Sequence, residues 1–250
     1  MRVKFAAQHP TFGTKNNRKT LGYQQRSPYY WWWAYLRRNE EYLQCCAKGG
    51  SGKLADLYKD FGDVRSEDFH KWWTEDDRGA RLFAEEQQRT LFELSDTSEW
   101  QAKWNAENML VVAVPLQNGV SKRDIQKAFA ALLKRKHTAK RGRSKTKWTS
   151  STADYPINRN YTIDSLRTAL TVYDAYMANL KLPKKQQKTL WEIGADLRLV
   201  LTAMPKDTDD TADNLVKRNR MAASVSRYVR QATATVEAVG LGKFPTLLDV

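Results

Sequence analysis

Cysteine and histidine are scarce in this chain. Its 250 residues include two cysteines, adjacent at Cys45 and Cys46, and three histidines. Adjacent cysteines seldom bridge each other, so no disulfide framework is expected and the thiols fit a reducing cytoplasm. Three histidines leave little for imidazole catalysis or a metal cage. Glycine (12) and proline (7) are too few for collagen-like or low-complexity fibres. No apolar run reaches the roughly 18 residues of a membrane-spanning helix. The N-terminus lacks the apolar core of a secretory signal. A cytoplasmic location without a membrane partner is therefore expected. Aromatic residues, in contrast, abound, with 9 Trp, 11 Tyr and 8 Phe. With 41% apolar content they exclude wholesale disorder. The length matches one to two domains at about 150 residues each, enough to bury a core without disulfides or metals.

Acidic residues are unevenly missing. Lys and Arg total 42 against 28 Asp and Glu, a net charge of +14. Residues 1–26 hold six Lys/Arg and no acid, and residues 109–150 hold eleven against one. Residues 27–83 are close to neutral, 84–108 net acidic and 162–250 mildly basic. Positive charge clustered this way is the electrostatic footprint of a polyanion. Nucleic acid is the expected partner, since neither basic segment carries the apolar face that a membrane surface requires.

Residues 1–26 read as a basic flexible arm, its periodicity broken by Pro10, Gly13, Asn16, Asn17 and Gly22. Ser27 as cap and Pro28 at the first helical position predict a helix over 28–47 that stops near Gly49 and Gly50. Shorter helices are predicted at 54–61, 67–75 and about 79–83, which makes 27–83 an aromatic-rich helical unit. Residues 84–150 read as a small α/β segment. Its strand candidates are 90–94 and the apolar run 109–114, which fits a buried strand. Ser121 then caps a helix over 122–135, with Ile125, Ala128, Phe129, Leu132 and Leu133 on one side. Residues 151–250 read as a helical bundle or oligomerisation region. Helices are predicted at 164–180, 184–204 and 211–239, punctuated by Pro183, Pro205 and Gly240. The expected fold is mainly α, with a small β element. Whether 27–83 packs on the rest is left open at this level.

The strongest functional signal is the helix 122–135 with the basic loop after it. A short strand, a basic-faced helix and a basic loop together resemble a winged-helix arrangement, in which the helix reaches base edges and the loop grips phosphate. The candidate contacts are Lys122, Arg123 and Lys127 on the helix, and Lys140, Arg141, Arg143, Lys145 and Lys147 in the loop. Arg123 and Lys127 lie one turn apart and point the same way. Duplex DNA is the expected ligand, and a homodimer through the C-terminal helices would match a palindromic site. A second candidate is 222–229, whose Val225-Ser226-Arg227 looks like a repressor recognition helix, against the simpler reading of an interface helix with small residues. A third is the triplet Trp31, Trp32 and Trp33, either core or a stacking platform for unpaired bases. A protein partner is the remaining alternative.

Enzymatic patterns are poor. His70 lies near Asp63, Glu67 and Asp68, but nothing supports a metal site there. Gly49-Gly50-Ser51-Gly52-Lys53 lacks the spacing and the preceding strand of a phosphate loop. No catalytic residue, metal or cofactor is expected.

The run Trp32-Trp33-Ala34-Tyr35-Leu36-Arg37-Arg38-Asn39-Glu40-Glu41-Tyr42 resembles transcriptional-regulator-like proteins encoded by bacterial mobile elements, which carry a Trp, then Leu-Arg-Arg-Asn and a Tyr. The Tyr-Trp-Trp-Trp start and the later Asp60-Phe61-Gly62-Asp63-Val64 are similar to phage and plasmid proteins. The likeness covers about 27–83. It implies a bacterial cytoplasm and a role in transcriptional control or maintenance of a phage or plasmid, and carries over no catalytic residue.

Overall fold

The computed structural model describes residues 4–85, 110, 112, 114, 119–136, 151–158, 161–206 and 208–246. Helices dominate them, with strands confined to two short pairs. The N-terminal stretch carries β1 (Lys4–Phe5), the hairpin strands β2 (Gly13–Thr14) and β3 (Asn17–Arg18), and one helical turn, α1 (Leu21–Gln24). Then come α2 (Pro28–Leu36), α3 (Glu40–Ala47), α4 (Ala55–Phe61), α5 (Phe69–Thr74), α6 (Arg78–Phe83) and β4 (Ala84–Glu85). α7 (Lys122–Lys136) precedes α8 (Ile163–Leu180), α9 (Leu190–Asp196) and α10 (Thr211–Gly240). The chain divides into two units, residues 1–87 with 146–250, and residues 88–145. α7 belongs to the second.

α2 organises the first unit. Ser27 starts it, accepting the Tyr29 N–H on its hydroxyl at 3.3 Å, with Pro28 at the first position. Every residue of α2 is buried, as a helix apolar on all sides requires. Its cover comes from both ends of the chain. Trp32 stacks on Phe61 and lies 5.3 Å from Phe244, ring centre to ring centre. Trp33 meets Phe69 and Trp72. The Tyr35 hydroxyl donates to the Leu166 carbonyl of α8 at 3.0 Å. Arg38 holds Asp174 of α8 through two nitrogens, at 3.0 and 2.6 Å. Asn39 caps α3 by accepting the Tyr42 N–H at 2.9 Å, and its amide donates to the Val236 carbonyl of α10 at 2.8 Å. Residues 27–83 and the C-terminal helices thus share one core, which answers the question that the sequence leaves open. A smaller cluster of Val172, Ile193 and Val225 joins α8, α9 and α10. Gly194 permits this approach, because a methyl there would come within 3 Å of Met221 and Val225.

Several expectations need correction. The arm is docked over its described part. β1 pairs antiparallel with β4, Lys4 opposite Glu85 and Phe5 opposite Ala84. Phe5 packs on Tyr29 and Trp73, and Phe12 on Phe69 and His70. Two aromatic anchors outweigh a polar, basic composition. The helix expected over 28–47 is two helices, because Asn39 followed by Glu40 and Glu41 restarts it with a cap and two acids at its N-terminus. The helix expected over 184–204 is only α9, flanked by 3-10 turns at Lys184–Gln186 and Leu201–Ala203. Thr189 and Glu192 form a capping box at its start, and Arg198 takes a left-handed φ of 48° just after its end. Of the run 109–114, residues Leu110, Val112 and Val114 are described, and they are exposed and outside any strand. β-branched composition describes the fit to a half-buried pleated surface, and alone it does not create one. The strand candidate 90–94 lies outside the described residues.

One carboxylate ties the place where the chain leaves the first unit to the place where it returns. Glu85 accepts the Ser151 hydroxyl at 2.6 Å, the Thr152 N–H at 2.7 Å and the Thr152 hydroxyl at 3.0 Å. Just beyond, the Tyr155 N–H donates to the Leu82 carbonyl at 3.1 Å. Burial opposes ionisation of Glu85, but these hydrogen bonds and the nearby Lys4 outweigh it and hold its carboxyl below the usual carboxylate range. The resulting stabilisation is present above the ordinary carboxylate value and is lost as pH falls through the depressed one. Glu85→Gln is therefore expected to melt below wild type at pH above about 5. The gap should narrow as thermal scans move toward pH 3, and a gap independent of pH would contradict this account.

Candidate nucleic-acid interface

α7 begins where the sequence reading put it and runs one residue longer. Ser121 caps it, its hydroxyl accepting the Asp124 N–H at 3.1 Å and donating to the Asp124 carboxylate at 2.6 Å. Asp124 is the helix's one acid, and it is spent on this cap. Lys134, Arg135 and Lys136 occupy the last turn, where cations favour the dipole. Ile125, Phe129 and Leu132 are half-buried, while Lys122, Arg123, Lys127, Lys134, Arg135 and Lys136 are exposed. At 100° per residue, Arg123, Lys127 and Lys134 fall on one side, opposite Ile125, Phe129 and Leu132. Among the described residues none of these cations is in an ion pair. A run from Arg123 to Lys134 spans about 16 Å at 1.5 Å per residue. The helix can therefore present several charges along a polyanion while its apolar side faces away. Lys140, Arg141, Arg143, Lys145 and Lys147, and with them the loop of the winged-helix expectation, lie outside the described residues.

The tryptophan triplet is core. Trp31, Trp32 and Trp33 are 4%, 0% and 1% exposed, so no ring face is open to a base and the stacking-platform reading is corrected. Three consecutive residues can be buried because α2 is enclosed on all sides. Trp31 donates its indole N–H to the Gln25 carbonyl at 2.8 Å. The indole N–H groups of Trp32 and Trp33 are enclosed without a partner, a cost of about 1–3 kcal/mol each that their apolar burial exceeds.

Other constellations resolve into structural roles. The His70 ring packs on Phe12, 4.5 Å between ring centres. Asp63 holds Arg65, and Asp68 caps α5. Among the described residues no group of three His, Cys, Asp or Glu is placed to hold a metal ion. Lys53, after the glycine-rich loop, gives its ammonium to Glu41 at 2.9 Å. A shallow depression of about 280 Å³ lies between α4, Tyr155 and the end of α10. Its polar groups are already engaged: the Tyr155 hydroxyl donates to Asp60 at 2.6 Å, and burial with that bond raises the phenol's pKa. Cys45 and Cys46 are buried free thiols. No described helix is long and apolar enough to cross a membrane.

The sequence reading missed Arg218 lying on the Trp191 ring, its guanidinium carbon 4.5 Å from the ring centre. Nothing in the sequence links two residues on separate helices, and only the packing of α9 on α10 brings them together. No protein-family model matches the chain, and neither the curated proteins nor the solved structures contain a match.

Proposed function

We propose that the protein binds nucleic acid, with α7 and the basic segment after it as its contact element. The observation that carries this reading is the exposed cationic side of α7, whose one acid is occupied by its own cap. Duplex DNA fits a helix of this width and charge, because the major groove admits one α-helix. The resemblance of residues 32–42 to mobile-element proteins motivates reading that binding as transcriptional control or maintenance of a phage or plasmid in the bacterial cytoplasm. The burial of Trp31–Trp33 removes the main support for a single-strand binder.

The test is a fluorescence-anisotropy titration against duplex and single-stranded DNA across a salt series. Wild type should bind the duplex more tightly, with log Kd rising steeply against log salt. Replacing Lys122, Arg123 and Lys127 with Gln should reduce that slope by about 2, since Arg123 and Lys127 share the cationic side, Lys122 falls on the side of Phe129, and each lost phosphate contact removes about 0.9. Binding that ignores salt, or a triple variant indistinguishable from wild type, would sink the assignment.

A further inference from the structure

α10 carries a second group of cations in the first unit, apart from α7. Arg220, Arg227 and Arg230 are exposed. Their spacing places them within about 80° of one another around the helix and along about 15 Å of its length. Arg218 lies on the opposite side of α10, against Trp191 of α9 and outside this group; within the group, the Arg227 guanidinium lies over the Tyr228 ring at 5.3 Å. A guanidinium laid on a ring is held in place with its donors still directed outward, which reduces the ordering cost of a bidentate contact.

Three carboxylates near α10 are committed elsewhere, while the exposed Asp213 and Glu237 flank the arginine group, each about 10 Å along the helix from its nearer end. Asp209 pairs with Lys217, Asp196 with Lys188, and Glu192 caps α9. Among the described residues none of Arg218, Arg220, Arg227 and Arg230 is in an ion pair. Beside them lie the exposed Asn219 and Ala223 and the half-buried Ser226, small or short neutral residues that allow close approach. A membrane would need an apolar face here, and the surface between Arg220 and Arg230 has none. A second copy of the chain would set arginine against arginine. A phosphodiester backbone fits, because its closely spaced charges meet several guanidiniums along such a run.

We propose that this edge of α10 is a second phosphodiester-binding surface, engaging the backbone of a nucleic acid through residues other than those of α7. The inference rests on the nucleic-acid reading above but assigns different residues to it.

The experiment uses the full chain, a fluorescent duplex and its separated strands, and a salt series. Four proteins are compared: wild type; Arg220→Gln with Arg227→Gln and Arg230→Gln; Lys122→Gln with Arg123→Gln and Lys127→Gln; and a charge-matched control, Lys48→Gln with Lys71→Gln and Lys243→Gln. The α10 variant should lower the salt slope by about 2–3 and weaken binding at least about tenfold at 0.1 M salt, against a slope change below about 1 for the control. If loss of the Arg227 stack unfolds the triple variant, Arg220→Gln with Arg230→Gln touches neither ring and should lower the slope by about 1–2. An α10 variant that matches the control while the α7 variant is weakened overturns this inference and leaves the α7 reading standing. The reverse result supports α10 and removes α7. Wild type that binds neither probe at 0.1 M salt overturns both. A changed oligomeric state by light scattering, with the salt slope intact, assigns the surface to a second copy and overturns the inference.

Discussion

Excising residues 87–149 and bridging the gap with a short Gly/Ser linker is expected to leave a protein that still unfolds in one cooperative step. The reason lies at Glu85. Its carboxylate binds Ser151 and Thr152 directly, so Glu85 and Ser151, each one residue from a cut end, are already side by side. Among the described residues of the excised part, none belongs to the core shared by α2, α8 and α10. On the proposed reading, the excised protein should lose the contribution of α7 to nucleic-acid binding, a loss of the same order as in the Lys122, Arg123 and Lys127 variant or larger. Thermal denaturation followed by tryptophan fluorescence, together with anisotropy at several salt concentrations, checks both halves. A broad, non-cooperative melt would show that the first unit depends on the excised residues.

Asn39→Asp, an exchange of an amide nitrogen for an oxygen, is expected to destabilise the fold strongly. Aspartate caps a helix as well as asparagine, so the start of α3 should survive. The other side of the residue fails. The Asn39 amide donates to the Val236 carbonyl, and a carboxylate there has only acceptors to offer, in a position 8% exposed. Burial raises the carboxyl's pKa while the retained Tyr42 N–H offsets part of that rise, and each unit of the net rise corresponds to about 1.4 kcal/mol at pH 7. The folded-state pKa is raised, so the variant is closest to wild type below the ordinary aspartate value and loses stability as pH climbs through the raised one. Urea titrations at pH 4 and pH 7 read the difference directly. An equal loss at both pH values would mean that geometry, and not charge, is responsible. Asn39→Ala, which forfeits the cap and one hydrogen bond, should cost about 2 kcal/mol at either pH.

Much of the helical pattern was legible in the residues. Ser27-Pro28 marked the start of α2, Ser121 the start of α7, and the apolar periodicity of α8 and α10 fixed their extents to within a residue or so. Local chemistry sufficed in those cases. It also held the signals for Asn39 and for the Thr189–Glu192 box, which the apolar period overrode. Other features depend on contacts between distant residues. The docking of Phe5 and Phe12 needs Trp73 and Phe69 in place, and the Glu85 tie needs Ser151 beside it. Of the candidate interface, the helix and its charges were readable because both are local. The bracing of Arg218 was not, because it is made by packing.

The enclosure of α2 also bears on synthesis. This helix is complete once Leu36 has been made, yet the carbonyl that Asn39 binds belongs to a residue 197 positions later. At about 5–20 residues per second, a ribosome takes roughly 10–40 s to cover that distance. For that interval the aromatic residues of α2 lack a complete α10 and Phe244, and for its first part α8 as well. The nascent N-terminal segment can pack α2 on Phe61, Phe69, Trp72 and Phe83 as they emerge, but the enclosure of that helix is completed only when α10 and Phe244 have been made.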